Sequence, residues 1–312
     1  MARIICGVDI GAETLDARIG RDGPWQQFAR TTEGIAQLAR FCQSHQASLV
    51  VMEATGGYER LAFAQLCASG LAVALVNPRS VRRFAEAMGI LEKTDKIDTG
   101  MIGWYAETKR IEPTPLASEQ QQRLTALVLR LRQLTDLRVA QNNQRRLVEE
   151  PDALASFTAV LATVSQQIRS LEAKIIELIE SDPLWLALNA AFREIKGVAN
   201  RTVARLMADL PEIGTLSSKA AAKLTGLAPI AHDSGKQTGR RQVRGGREAV
   251  RSILYVVAEL VRRHDADFKA FGERLRAAGK PPRVVRIALA HKLLVRLNAK
   301  ARDVRKALAQ PA

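Results

Sequence analysis

Four acidic residues stand where acids could act together on a phosphate. Asp9 closes the apolar run Ile4-Ile5-Cys6-Gly7-Val8, and Glu53 closes a second run, Leu49-Val50-Val51-Met52. Asp95 and Asp98, within Thr94-Asp95-Lys96-Ile97-Asp98-Thr99, are three apart. On one helical turn their carboxylates share a face, with Cβ atoms about 5–6 Å apart. Carboxylates converging on one point repel each other unless cations lie between them. Hard oxygen ligands select Mg²⁺ or Mn²⁺. Two such ions about 3.5–4 Å apart can hold a scissile phosphate and stabilise both attacking and leaving oxygens. Each acid alone also has a plain structural reading: Asp9 as a turn residue, Glu53 as a strand-end cap, Asp95 as a helix N-cap. The combination is more specific than any of its members.

A second chemical element is Ser234-Gly235-Lys236, in a loop after Leu224-Thr225-Gly226-Leu227-Ala228-Pro229. The stretch from Gly235 to Arg251 carries Lys236, Arg240, Arg241, Arg244, Arg247 and Arg251. A serine hydroxyl is a poor nucleophile without a base or a metal. Guanidinium groups beside it would grip a phosphodiester and offset its developing charge. Arg247 and Arg251, four apart, would form one cationic stripe on the helix that follows. On chemistry alone the plainer reading is that Ser234 turns the loop and the cations bind phosphates without bond-making. A third element, Ile195-Lys196-Gly197-Val198-Ala199-Asn200, reads as a tight hairpin between helices. Gly197 there would let backbone N–H groups face a phosphate.

The elements that must position these groups fall into three stretches. Residues 1–116 alternate strand and helix signals. Strands are expected at 4–8, 14–19, 25–29, 49–52 and 72–76, with helices from Thr31-Thr32-Glu33 and at about 58–69. A hairpin-rich start followed by βαβ units predicts a mixed sheet flanked by helices. Residues 117–183 carry apolar residues at spacings of three and four, with a break at Glu149-Glu150-Pro151. They read as a helical hairpin or coiled-coil arm, packed either on its own domain or on a second subunit. Residues 184–312 read as mostly helical, with an apolar-faced helix at 252–263 and a basic one at about 282–308.

Charge separates these stretches further. The net charge of +15 is confined: residues 1–116 hold 13 basic and 13 acidic side chains, whereas residues 187–312 hold 26 and 10. So localised a field points to a polyanionic partner, nucleic acid before others. No apolar run approaches the roughly 18 residues of a membrane span. Three scattered cysteines without a C-x-x-C pair argue against a disulfide framework or a thiolate zinc site and suit a reducing cytoplasm. Gly7-Val8-Asp9-Ile10-Gly11 also looks like the first phosphate loop of sugar-kinase and actin-type ATPases. The later glycine-rich stretch is cationic and has no Asp-Gly-Gly, which counts against nucleotide hydrolysis.

Two strand-terminal acids with a helical D-x-x-D form the pattern of an RNase H-like nuclease core. More specifically, Gly-Val-Asp-Ile-Gly at 7–11, Met-Glu-Ala-Thr-Gly at 52–56, Asn-Pro at 77–78, Lys-Thr-Asp-Lys-Ile-Asp at 93–98 and Ala-Pro-Ile-Ala-His-Asp-Ser-Gly at 228–235 resemble transposases of insertion-sequence family 110, relatives of the Piv-type DNA invertases. The resemblance implies a RuvC-like N-terminal domain whose Mg²⁺ ligands are Asp9, Glu53, Asp95 and Asp98. It implies a C-terminal transposase domain in which Ser234 attacks DNA and forms a covalent phosphoserine, in a composite site whose halves can come from different protomers. It further implies donor and target double-stranded DNA as substrates, a non-coding bridge RNA as guide, and homodimers assembling to a homotetramer in the bacterial cytoplasm. A hydrolytic RuvC-type nuclease, with Ser234 a bystander, is the rival reading, and a non-catalytic nucleic-acid-binding protein is a further one.

Overall fold

The computed structural model describes residues 3–92, 94–231, 233–235, 239 and 241–310. The chain divides into two compact units, residues 1–117 and 118–312.

The first unit is built on a five-stranded sheet. Its elements are β1 (Ile5–Ile10), β2 (Thr14–Ile19), β3 (Trp25–Ala29), α1 (Thr32–Ser44), β4 (Leu49–Glu53), α2 (Glu59–Ala68), β5 (Val73–Val76), α3 (Pro78–Ala87) and α4 (Asp95–Lys109). The strand order is β3-β2-β1-β4-β5. The β1–β2 and β2–β3 pairs are antiparallel, whereas β4 runs parallel to both β1 and β5. This order and mix of directions is that of an RNase H-like, RuvC-like fold, as the acid pattern predicts.

Strand alternation distributes the sheet's side chains between two layers. Cys6, Val8 and Ile10 of β1 pack with α1 and α2 through Ile35, Leu38, Phe63 and Leu66. Ile5 of β1, with Leu49 and Val51 of β4, packs on the opposite face with Phe84 of α3 and Met101, Ile102 and Ala106 of α4. Each large apolar side chain buried this way contributes about 1.5–3 kcal/mol. The sequence pattern does not announce the helix α3, because Asn77-Pro78 directly after an apolar strand also reads as a strand stop. The same pair starts a helix: the Asn77 side chain accepts from Arg79 N at 2.9 Å and Pro78 occupies the first turn.

One glycine fixes where α4 lies. A Cβ built on Gly7 would stand 2.1 Å from Thr99 O and 2.8 Å from Gly103 N, so only a bare Cα lets the helix backbone lie this close to β1.

The second unit is helical: α5 (Glu119–Arg145), α6 (Pro151–Glu180), α7 (Pro183–Arg193), α8 (Asn200–Asp209), α9 (Ser218–Leu224), the two-residue strands β6 (Pro229–Ile230) and β7 (Gln242–Val243), α10 (Glu248–His264), α11 (Ala266–Ala277) and α12 (Pro282–Ala309). The long helices α5 and α6 pair as a hairpin whose break falls at the Glu-Glu-Pro step, where Glu150 caps α6. Leu124, Val128, Leu131, Ile168 and Ile175 of this hairpin share one core with Leu188, Val203, Leu254 and Leu293. Its far end leaves Leu137, Val139 and Val160 exposed, with Leu147 at 87% exposure.

Candidate active site and nucleic-acid interface

The acids of the first unit are placed by strand parity. Gly7 faces α4, so Asp9, two residues on, lies on the same face. Val51 packs under α4, and Glu53 follows it by two. β1 and β4 pair in parallel through Val8 and Met52, so Asp9 and Glu53 sit at adjacent strand ends. The helix α4 begins at that end. Thr94 caps it, accepting from Ile97 N at 3.2 Å, so Asp95 is the first helical residue and its carboxylate is not used as the cap. Asp98 follows one turn later on the same face. Both acids lie in the first turn, where the helix dipole favours negative charge. The Asp9 carboxylate accepts from Ile10 N at 2.9 Å. Beyond Glu53, Thr55 N and Gly57 N both donate to Glu59 Oε2, at 3.0 and 2.8 Å, which folds the 54–58 turn. The Arg30 guanidinium lies 4.8 Å over the Tyr58 ring at its end.

A fifth carboxylate, unforeseen from the sequence, belongs to this group. Asp16 pairs directly with Asp9 across β1 and β2 and is only 4% exposed. Gln27 Nε2 donates to both its oxygens, at 3.1 and 3.3 Å. Burial raises the Asp16 carboxyl above its ordinary value; the Gln27 hydrogen bonds oppose this, and the charges of Asp95 and Asp9 add to it. Mutual repulsion among oxygen donors is therefore present at this end of the sheet. Among the described residues, no three acidic, histidine or cysteine side chains are gathered closely enough to enclose an ion. The donors fit Mg²⁺ in kind, being hard carboxylate oxygens, but among the described residues they are not drawn together into a ligand shell.

In the second unit, Ser234 is exposed on the connection between β6 and β7. Asp233 closes the turn that carries it: one oxygen accepts from Gly239 N at 3.0 Å and the other from Arg241 Nη2 at 2.8 Å. Arg244 is exposed beyond β7. Lys236 and Arg240 lie outside the described residues. Arg247 precedes α10 rather than standing on it. Its guanidinium makes two 2.6 Å bonds to Glu212 and a 3.0 Å bond to Asp209 O. Arg251 donates to Gly245 O. Burial acts to raise the Glu212 carboxyl, but the Arg247 hydrogen bonds and charge outweigh it and the net shift is downward. Gly197 does turn the chain between α7 and α8, at φ +101°, and its Cα packs on α10, where a Cβ would meet Val261 N at 2.9 Å.

An RNase H-like sheet with acids at its central strand ends and on a helix across it defines a class of polynucleotide-processing folds. Residues 6–148 match a family model described as a transposase, and residues 189–273 match one described as the transposase IS116/IS110/IS902 family. The two models together span well over half of the chain, which belongs to the IS110 family of transposases and recombinases. Similar proteins include the pilin gene-inverting protein of Moraxella lacunata, 27% identical with 94% of each chain covered, and that of Moraxella bovis, with the same figures. An insertion element IS110 uncharacterized 43.6 kDa protein of Streptomyces coelicolor is 28% identical, over 67% of this chain and 53% of its own. Among solved structures, T. thermophilus RuvC in complex with a Holliday junction substrate aligns with 36% of this chain and 99% of its own, at 14% identity and a TM-score of 0.28. Among the described residues no helix is long and apolar enough to cross a membrane.

Proposed function

We propose that this transposase cuts and rejoins donor and target double-stranded DNA through Ser234, with Asp9, Glu53, Asp95 and Asp98 holding Mg²⁺. The observation that carries the reading is the placement of four acids on the α4 face of an RNase H-like sheet, two at adjacent strand ends and two in the first turn of α4. A bound divalent cation there would supply positive charge to phosphate oxygens. The chain's own residues do the rest. The buried strands fix the backbone that carries Asp9 and Glu53, and the close approach of α4 to Gly7 fixes the backbone that carries Asp95 and Asp98. Ser234 Oγ attacks phosphorus, forming a serine–phosphate ester to the 5′ side and releasing the 3′ oxygen, which leaves with a proton. A 3′ hydroxyl from the partner strand then reverses the step. One phosphoester replaces another at each stage, so no nucleoside triphosphate is needed. The relatives named for inverting a pilin gene support a rearrangement of DNA rather than its degradation.

Sequence choice is delegated, in this reading, to a non-coding bridge RNA, and the working assembly is a homodimer that associates to a homotetramer. A basic C-terminal region with only 4% aromatic residues in the chain suits backbone contacts more than base stacking. The test is Ser234→Ala. It should abolish the covalent protein–DNA adduct on a denaturing gel while nucleic-acid binding persists. Cleavage that continues in this variant without an adduct would establish hydrolysis by water instead.

A further inference from the structure

A groove of about 1,020 Å³ lies in the second unit, walled by β6–β7, α10, α11 and α12. This volume is at the upper end of the roughly 300–1,000 Å³ usual for ligand sites. Its walls carry three rings, Tyr255, Phe271 and His291, each half-buried and each from a different helix. Val243 and Ile287 complete an apolar lining. The cations are arranged around the rings: Arg283 and Lys292 line the groove, Lys292 Nζ lies 4.9 Å over Phe271, and the Arg286 guanidinium lies 4.9 Å over Tyr255. No carboxylate is among the described lining residues. Arg241, at the rim, is paired with Asp233, the residue that closes the Ser234 turn.

We infer that this groove receives an unpaired nucleotide: the base lies against the rings and its phosphates meet Arg283 and Lys292. The inference deepens the proposed function, and it rests on that reading only for the nucleic acid being DNA or RNA at all. Two features select this occupant over an apolar protein segment. An aromatic slot rimmed by cations and lacking acids matches a nucleotide, whose flat face is apolar and whose backbone is anionic. The groove is also continuous with the hairpin that bears Ser234, since β6 and β7 form one wall. Paired bases are stacked and cannot enter such a slot, so the groove would favour strands that are locally opened.

The experiment uses the full chain and two probes of one sequence: a single strand containing 2-aminopurine, and the same strand paired into a duplex. Val284 lines the groove at 50% exposure, so Val284→Glu places a carboxylate there without disturbing the core. Tyr255→Leu is the second variant; it keeps apolar bulk and removes the ring. The wild-type chain should change 2-aminopurine emission on binding the single strand. Either substitution should weaken single-strand binding about tenfold, as loss of one base–aromatic stack does. Duplex affinity should remain within about twofold. The inference is overturned if both variants bind the single strand as wild type does. It is overturned equally if single-strand and duplex affinities fall together, or if an amphipathic peptide occupies the groove and the single strand does not displace it. A wild-type chain that binds neither probe would defeat the proposed function as well, which separates the two failures.

Discussion

Replacing Gly7 with alanine tests whether the sheet sets the position of Asp95 and Asp98. The new Cβ would lie 2.1 Å from Thr99 O, where ordinary contact begins at 3.4 Å. Both Thr99 O and Gly103 N are helix backbone and cannot rotate aside, so α4 must retreat by about 1.3 Å along that line or β1 must bend. A retreat loosens the contact of Met101, Ile102 and Ala106 with the sheet. Overpacking of this kind costs roughly 1–3 kcal/mol. At about 4 °C per kcal/mol for a unit of this size, the melting transition should fall by about 4–12 °C. A misplacement on the order of 1 Å at reacting groups costs about 10²-fold in rate. The assay is strand cleavage measured well below the lowered transition, beside thermal unfolding followed by circular dichroism. Gly11→Ala is the control, because its Cβ would first meet the rotatable Thr14 Oγ1, at 3.1 Å. A Gly7→Ala protein that melts and cleaves like wild type would refute the packing argument. One that melts lower yet cleaves normally would refute the dependence of the acids on α4.

Four further outcomes are expected. Asp98→Asn should abolish metal-dependent strand exchange while costing at most about 1 kcal/mol of stability through the helix dipole, as an activity assay paired with a melt would reveal. Glu212→Gln should cost roughly 1 kcal/mol at neutral pH, since the Arg247 pair is partly solvent-exposed. Because the Glu212 carboxyl is lowered in the folded chain, this difference is fully present above its unfolded value and is lost as pH falls through its folded one, so the gap between the two proteins in urea unfolding should shrink as pH is lowered stepwise from 7. Arg244→Ala should reduce the salt slope of DNA binding by about one, and Arg247→Gln should lower the melting temperature instead, because that guanidinium is committed to Glu212.

The sheet was legible wherever burial is two-sided. β4 reads as an unbroken apolar run because Leu49, Val50, Val51 and Met52 are all buried, and the acid that ends it stands out for the same reason. Asp16 was not legible. In Thr14-Leu15-Asp16-Ala17-Arg18 the polar residues alternate cleanly, which reads as a solvated face, whereas in the fold Gln27 of β3 bonds Asp16 and α4 packs on β1 and β2. The spacing of Arg247 and Arg251 reads as one cationic stripe because the Glu212 partner of Arg247 lies 35 residues away in the chain. The hairpin β6–β7 has two residues per strand, too few to show a period. Helix α10 begins at Glu248, four residues before the expected start, since its first turn is charged rather than apolar.

The two chemical elements are held by different physics, and this bears on which of them tolerates change. The acids are fixed by backbone proximity: a strand glycine against a helix carbonyl leaves no side chain to adjust, and buried strands on both sides forbid tilting. Next to Ser234, the Asp233 carboxylate gathers the Gly239 N–H and the Arg241 guanidinium at an exposed position. Exposed hydrogen bonds open far more readily than a packed sheet. In the proposed reaction, a nucleophile that must reach a phosphate, bond to it and later release it would gain from exposure, whereas acids that must hold charge in one place would not. The proposed chemistry would thus set the metal ligands on the packed sheet and the bond-making serine beside an exposed, hydrogen-bonded carboxylate.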